Sequence, residues 1–372
     1  MKKSYIWTLP TRAFHWLFVV FILLAFVTSE EDRLLNYHSL IGYAILILLV
    51  FRLFWGVLGP KYSHFIDFPI SRKSVKEFLS NMFNSEQKYV GHNPLASYVM
   101  IAMFVTIFLI ILTGALTLGI QEGKGVFSYL NISMFRDMEL FEELHEVLSS
   151  LLIVLIVAHL GGIVFDKLFH GKQKTLNSIF SGYKNTKKEE LIKLNILQKF
   201  IALIFLVLFL GFIVFSFIQP KNILVSSIYE PIDYEKQNEL FVSECASCHT
   251  LYPPNLLPKK SWEKLMLGLE DHFGDDASLD EEDYNNILAF LLRNSAENST
   301  MEASKKILDS IENKDIIAVS HTSFWKDRHN EIPKKVFQHE KIKTKANCKA
   351  CHLDIEKGLI EDENIKSISS FM

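Results

Sequence analysis

Residues 144–162 read L-H-E-V-L-S-S-L-L-I-V-L-I-V-A-H-L-G-G, an apolar run with a histidine near each end. His145 and His159 are fourteen positions apart. On an α-helix that is roughly 21 Å of rise, and it brings the two within about 40° of the same face. Extended to 142–165, the run can cross a hydrocarbon core of about 30 Å, which takes roughly 20 helical residues. Ionisable side chains in such a segment are costly and usually functional. One helix therefore offers two imidazoles to one side, at two depths.

Four more runs have the character of spans, at 13–29, 37–58, 95–119 and 199–219. The first follows Lys2 and Lys3 and has the outline of a signal peptide. It lacks a small-residue cleavage site and carries His15, so it is expected to be retained. Lys and Arg in short loops set the orientation. Segments 1–13, 59–93 and 167–199 hold sixteen of them, whereas 30–36 and 120–141 hold only Arg33, Lys124 and Arg136. That asymmetry puts the N-terminus in the cytoplasm and, after five crossings, residues 220–372 outside.

Under this topology the histidines sort by depth. His15 enters the first span near the inner surface, and His38 opens the second near the outer surface. On the fourth span His145 lies near the outer start and His159 near the inner end. His15 then pairs with His159 and His38 with His145, giving two bis-imidazole sites for b haem, stacked across the membrane. Interfacial or core histidines without a ligand are the better bet for any one of these alone. For four that pair by depth, that alternative is weak. Arg12 and Arg52, near the inner surface, are candidates to meet haem propionates, with positive-inside anchoring as an even alternative. His64, His92 and His170 fall in inner loops and read as ordinary surface residues.

The whole chain is 49% hydrophobic with 30 Phe, heavy for a soluble protein, and its net charge of −3 with no basic stripe argues against nucleic acid. All four cysteines sit in two motifs, C-A-S-C-H (245–249) and C-K-A-C-H (348–352). Two thiols at that spacing form thioethers to haem vinyls, and His249 and His352 supply the proximal nitrogens. Zinc ribbons pair such motifs about 15–20 residues apart, but these begin 103 apart. Thioredoxin-like chemistry would want a βαβ context, and the flanks here are helical. Disulfides remain allowed outside the cell. Bacteria attach haem to such motifs outside the cytoplasmic membrane, which is where loop charge independently places this region. Around the motifs, Ser278 to Glu281 has the form of a capping box opening a helix through about Arg293. Trp262 to Phe273 has helical spacing with Gly274 as its stop. Pro253, Pro254 and Pro258 forbid helix just after the first motif.

The stretches T-R-A-F-H-W (11–16), F-R-L-F-W-G-V-L-G-P (51–60), G-H-N-P-L-A (91–96), L-H-E (144–146) and A-H-L-G-G (158–162) resemble the bacterial and nickel-hydrogenase type cytochrome b family. The likeness covers about 5–185, including Ile179 to Lys184. It implies a four-helix bundle with two b haems on the pairs above, exchanging electrons with membrane quinone. The runs 245–262, 271–280, 324–333 and 347–352 resemble the bacterial di-haem cytochrome c family, over about 238–360. That resemblance implies two low-potential c haems with His at both axial positions. The distal ligands lie among His272, His321, His329 and His339. His272 and His329 fall on the family's stretches and are preferred, with His339 in reserve for the second haem. A Met ligand such as Met266 would raise the potential.

The expected fold is all-α. Residues 1–190 form an integral membrane four-helix haem-binding bundle, 191–235 a fifth transmembrane helix and linker, and 236–372 a small, loop-rich periplasmic di-haem cytochrome c domain. The expected function is electron transfer, in the bacterial inner membrane, between quinone or quinol and a periplasmic soluble carrier or reductase. The chain would be one subunit of a quinol:acceptor oxidoreductase. The alternative is a haem enzyme acting on a small oxidant or nitrogen/oxygen species at an open iron. A third possibility is a non-redox membrane protein with a zinc- or disulfide-bearing outer domain.

Overall fold

The computed structural model describes residues 2–84, 89–135, 138–311 and 315–371. In chain order the first part comprises β1 (Lys2–Tyr5), α1 (Leu9–Thr28), α2 (Leu35–Leu58), α3 (Arg72–Ser80), α4 (Pro94–Ile120), α5 (Leu140–His170), α6 (Thr175–Ser181), β2 (Tyr183–Thr186) and α7 (Ile196–Ile218). Short helices follow: α8 (Tyr234–Gln237), α9 (Glu239–Cys245), α10 (Lys259–Leu267), α11 (Glu281–Arg293), α12 (Glu302–Ile311), α13 (Ser323–Arg328) and α14 (Lys334–Phe337). Five of them, α1, α2, α4, α5 and α7, are long and apolar enough to cross a membrane. The chain divides into two compact units, 1–31 with 35–115 and 139–222, and 32–34 with 116–138 and 223–372.

In the first unit α1 and α2 meet through Phe14, Phe18 and Ile22 on one side and Ala44, Ile45, Leu48 and Phe51 on the other. The fifth helix, α7, joins through Phe209 and through Phe205, whose ring lies 5.4 Å from Phe51. Between lipid-facing helices such contacts act through close packing rather than through the hydrophobic effect. The helix starts are encoded locally. Asn93 accepts from the Ala96 N–H at 2.8 Å, with Pro94 in the first turn of α4. Asn195 and Gln198 form a full capping box on α7. Gln198 then donates to the Gly59 carbonyl at 2.7 Å, tying the start of α7 to the end of α2.

The same end carries a feature absent from the all-α expectation, an antiparallel β1–β2 ribbon with Ser4 opposite Lys184. Its strands are four residues each. The Trp7 indole N–H donates to Ser178 at 3.2 Å beside it. The segments gathered here are those with the excess of Lys and Arg.

The second unit is built on Phe241, Trp262, Ile287, Phe290, Leu291 and Ile307, with a smaller cluster of Val336, Ile342 and Phe371. Two boundaries differ from the sequence expectation. Asp280, not Ser278, caps α11, accepting from the Asp283 N–H at 2.9 Å. The Ser278 hydroxyl is committed to Asp276 at 2.6 Å. Helix α10 runs Lys259–Leu267 and ends at Gly268, not at Gly274. A 3-10 turn at Leu269–Asp271 follows, and Phe273 and Gly274 are both left-handed, with φ of 57° and 103°. That turn lifts His272 out of any helix. Pro254 opens a 3-10 turn and Pro258 caps α10, so the prolines do exclude α-helix up to Lys259.

Within this unit the segment 116–138 is bound to the C-terminal region. Lys124 pairs with Glu361 at 2.6 Å, and the Tyr229 hydroxyl donates to Asn131 at 2.8 Å. Arg328 pairs with Asp32 at 2.8 Å.

Candidate haem-binding sites

His38 sits in the first turn of α2 and His145 in the first two turns of α5, and their ring centres are 6.1 Å apart. Each ring is oriented by a backbone carbonyl on a neighbouring helix. Nδ1 of His38 lies 3.0 Å from the Ala25 oxygen, and Nδ1 of His145 lies 2.9 Å from the Ile110 oxygen. A carbonyl only accepts, so both Nδ1 atoms carry the proton and both Nε2 lone pairs are left for a metal. Gly114 on α4 permits the approach, because a Cβ there would stand 2.8 Å from the His145 ring. At the other end His15 lies on α1 and His159 on α5, and the buried Nδ1 of His15 has no hydrogen-bond partner among the described residues.

In the second unit Cys245 closes α9, and Cys248 and the adjacent His249 follow it by three and four residues. The His249 and His272 rings stack with centres 6.0 Å apart and planes at 25°. The second motif opens on a 3-10 turn at Cys348–Ala350, and His352 stands 6.1 Å from His329. His329 ends α13, holds the Trp325 carbonyl through Nδ1 at 2.8 Å, and stacks on the Trp325 ring at 4.3 Å. Burial lowers the pKa of His272 and His329, and burial with the nearby His329 pushes His352 down to about 4. Neutral imidazole is the form that binds iron. The four thiols are free rather than paired with one another.

The fit to haem can be tested on distance. Two imidazoles sharing one iron, each nitrogen about 2 Å from the metal and each ring centre roughly 1 Å beyond, stand about 6 Å apart. Three separate histidine pairs fall at 6.0–6.1 Å. Residues 6–182 match the family model of prokaryotic cytochrome b561, and residues 241–360 match dihaem cytochrome c. The chain joins a cytochrome b561 domain to a dihaem cytochrome c domain. It is a haem-binding, mostly helical integral membrane protein of electron transfer.

The b561 domain is similar to a probable Ni/Fe-hydrogenase B-type cytochrome subunit of Cupriavidus necator. The two are 22% identical over 220 residues, which is 50% of this chain and 89% of the relative. A probable Ni/Fe-hydrogenase 1 B-type cytochrome subunit of Escherichia coli is 27% identical over 141 residues, 30% of this chain and 59% of the relative. The cytochrome c domain is similar to a solved dihaem cytochrome c from Rhodobacter sphaeroides. That structure is 32% identical, covers 35% of this chain and 99% of its own, and has a TM-score of 0.31.

The remaining predicted site residues divide. In the b561 domain Arg52 is buried, donating to the Ser63 carbonyl at 3.1 Å with its guanidinium 4.5 Å over the Phe65 ring. Arg12 donates to the Phe180 carbonyl, and its buried Nε has no hydrogen-bond partner among the described residues. Two loop histidines are not the ordinary surface residues that their position implied. His170 is 1% exposed, with Nε2 on the Met82 carbonyl at 2.9 Å and Nδ1 facing Asp166 at 3.3 Å. His92 lies between the Trp7 and Phe68 rings, 5.0 Å from each. His64 is only partly exposed, 3.8 Å from Asp67.

In the cytochrome c domain His339 is not brought to His352. It lies 5.6 Å from the Phe371 ring and accepts from the Lys341 N–H. His321 is exposed, and Met266 is buried in the hydrophobic core. Tyr252, which sequence reasoning passed over, touches both motifs. Its ring is 5.4 Å from His249, and its hydroxyl is 3.8 Å from the Cys348 sulfur. Lys184 was missed as well. It is 4% exposed, and only the distant pairing of β2 with β1 places it.

Proposed function

We propose that this protein carries electrons across a bacterial inner membrane, between the quinone pool and a periplasmic redox partner, using two b haems and two covalent c haems. The observation that carries the proposal is the repeated imidazole spacing of 6.0–6.1 Å at His38/His145, His249/His272 and His329/His352; the pairing of His15 with His159 rests on their depth in the sequence. Bound haem supplies one-electron iron chemistry at a potential set by axial ligands, hydrogen bonds and burial.

The chain's own residues do the positioning. The Ala25 and Ile110 carbonyls hold the His38 and His145 tautomers with Nε2 free for iron. Cys245 and Cys248, and Cys348 and Cys351, offer the thiols for thioether attachment. His272 with His249, and His329 with His352, would hold the iron of each c haem between two imidazoles, which would leave no open position for small oxidants and favour electron transfer over bond-making. Loop charge supports a cytoplasmic N-terminus and a periplasmic cytochrome c domain. Further support comes from the second unit, which gathers 32–34, 116–138 and 223–372, the segments that loop charge assigns to one side. The quinone end rests on the family likeness of residues 5–185.

The test uses a chain ended after Asn222, the last residue of the first unit. Reconstituted with quinol and a soluble acceptor, it should accumulate reduced b haem while transfer to the acceptor collapses. Transfer at the rate of the full chain would show that the cytochrome c domain is not the exit.

A further inference from the structure

The inner end of the b561 domain buries positive charge with little to balance it. Arg52 is 5% exposed and Lys184 4% exposed. The Phe68 ring lies 5.0 Å from His92 and 5.9 Å from the Arg52 guanidinium, and the charges that act on His92 are those of Arg52, Lys184 and His159. Among the described residues neither Arg52 nor Lys184 forms an ion pair. The acid that Lys184 feels is Asp166, which His170 already engages at 3.3 Å. Arg52 has five N–H donors. One of them meets the Ser63 carbonyl, and aromatic rings of Phe65, Phe68 and Phe104 surround the guanidinium. Burying cations without a counter-charge is strongly unfavourable. Burial brings Lys184 down to about 8, and burial with the surrounding cations brings His92 down to about 3. The β1–β2 ribbon, with Ser4 opposite Lys184, and the Trp7 and Phe68 rings around His92 fix the cluster in place.

We propose that Arg52, Lys184 and His92 form a carboxylate pocket that holds the propionates of the haem bound by His15 and His159. The assignment rests on the two-b-haem reading above. Haem presents two carboxylates on one edge, and the pocket presents a guanidinium, a lysine amine and a hydrogen-bonding imidazole. Arg52 supplies planar, directional donors and Lys184 a point charge. A lipid phosphate shares this chemistry, and it is separated by experiment.

The test loads full-length protein in membranes from haem-starved cells, in a His38→Ala background so that the inner b site alone is read. Two probes are compared, haem and haem dimethyl ester, whose carboxylates are capped. With Lys184 present, the ester should be retained about tenfold or more less firmly than haem. Lys184→Gln should shrink that preference several-fold and lower the midpoint potential of the inner haem, because a cation beside it is gone. Equal uptake of haem and ester overturns the pocket while leaving the two-haem reading intact. An inner site that takes up neither overturns both. A third arm compares vesicles of phosphatidylcholine with and without phosphatidylglycerol. A midpoint that follows the anionic lipid, without discrimination against the ester, assigns the pocket to lipid phosphate and overturns the propionate assignment.

Discussion

Gly114 is the position where a single methyl group should cost one haem. A Cβ there would stand 2.8 Å from Cε1 and 2.9 Å from Nδ1 of His145. Carbon contacts become comfortable near 3.5 Å, so in Gly114→Ala the ring must retreat by about 0.6–0.7 Å. It is held by its hydrogen bond to the Ile110 carbonyl at 2.9 Å, with Thr113 Oγ1 at the limit of reach, 3.5 Å away. Adding that retreat stretches the Ile110 bond to about 3.5 Å, where little of it remains. Losing the partner that orients a metal-binding imidazole costs about 10- to 100-fold in metal affinity. The outer b haem should weaken by that factor, roughly 1.4–2.7 kcal/mol, while the inner b haem and both c haems stay. Alanine favours the helix by about 1 kcal/mol over glycine, so the fold itself should not suffer. The assay is redox titration with a pyridine haemochrome ratio on membranes grown at limiting haem. One b component should be lost, and b to c should fall from one to one towards one to two. Gly211→Ala on α7, where a Cβ meets nothing within 4 Å, is the control. Two b components with wild-type midpoints in Gly114→Ala would refute the geometry.

His38→Ala and His145→Ala should each remove the same b component, and His15→Ala and His159→Ala the other. If His145→Ala matched His15→Ala in redox titration, the depth pairing would be wrong. In the cytochrome c domain His329→Ala should open one iron, read as a high-spin signal and carbon monoxide binding in the reduced protein. His339→Ala should leave the spectrum unchanged. Carbon monoxide binding by the unaltered protein would instead favour the haem-enzyme alternative.

What the sequence determined by itself is what local chemistry encodes. The five spans follow from run length alone, because a bilayer core fixes how many apolar residues a helix needs. The C-x-x-C-H motifs announce themselves because both thiols and the proximal imidazole come from one turn of chain. The depth order of His15, His38, His145 and His159 is legible because helical rise is constant. Several features belong to the tertiary structure. The distal rings come from segments with no fixed spacing to the motifs, so His329 and His339 differ only in which one the fold turns towards His352. The helix that seemed to end at Gly274 ends at Gly268, because capping competes with apolar periodicity and the short loop that aims His272 has no period. His92 and His170 look like loop residues in sequence, yet they are packed among rings and carbonyls brought from elsewhere. Lys184 is buried by a four-residue strand pairing in which its partner, Ser4, lies 180 positions away. A pattern of period two needs more residues than that to be read. Contacts between distant segments carry no local signature, and it is these contacts that place the buried cations of the inner end.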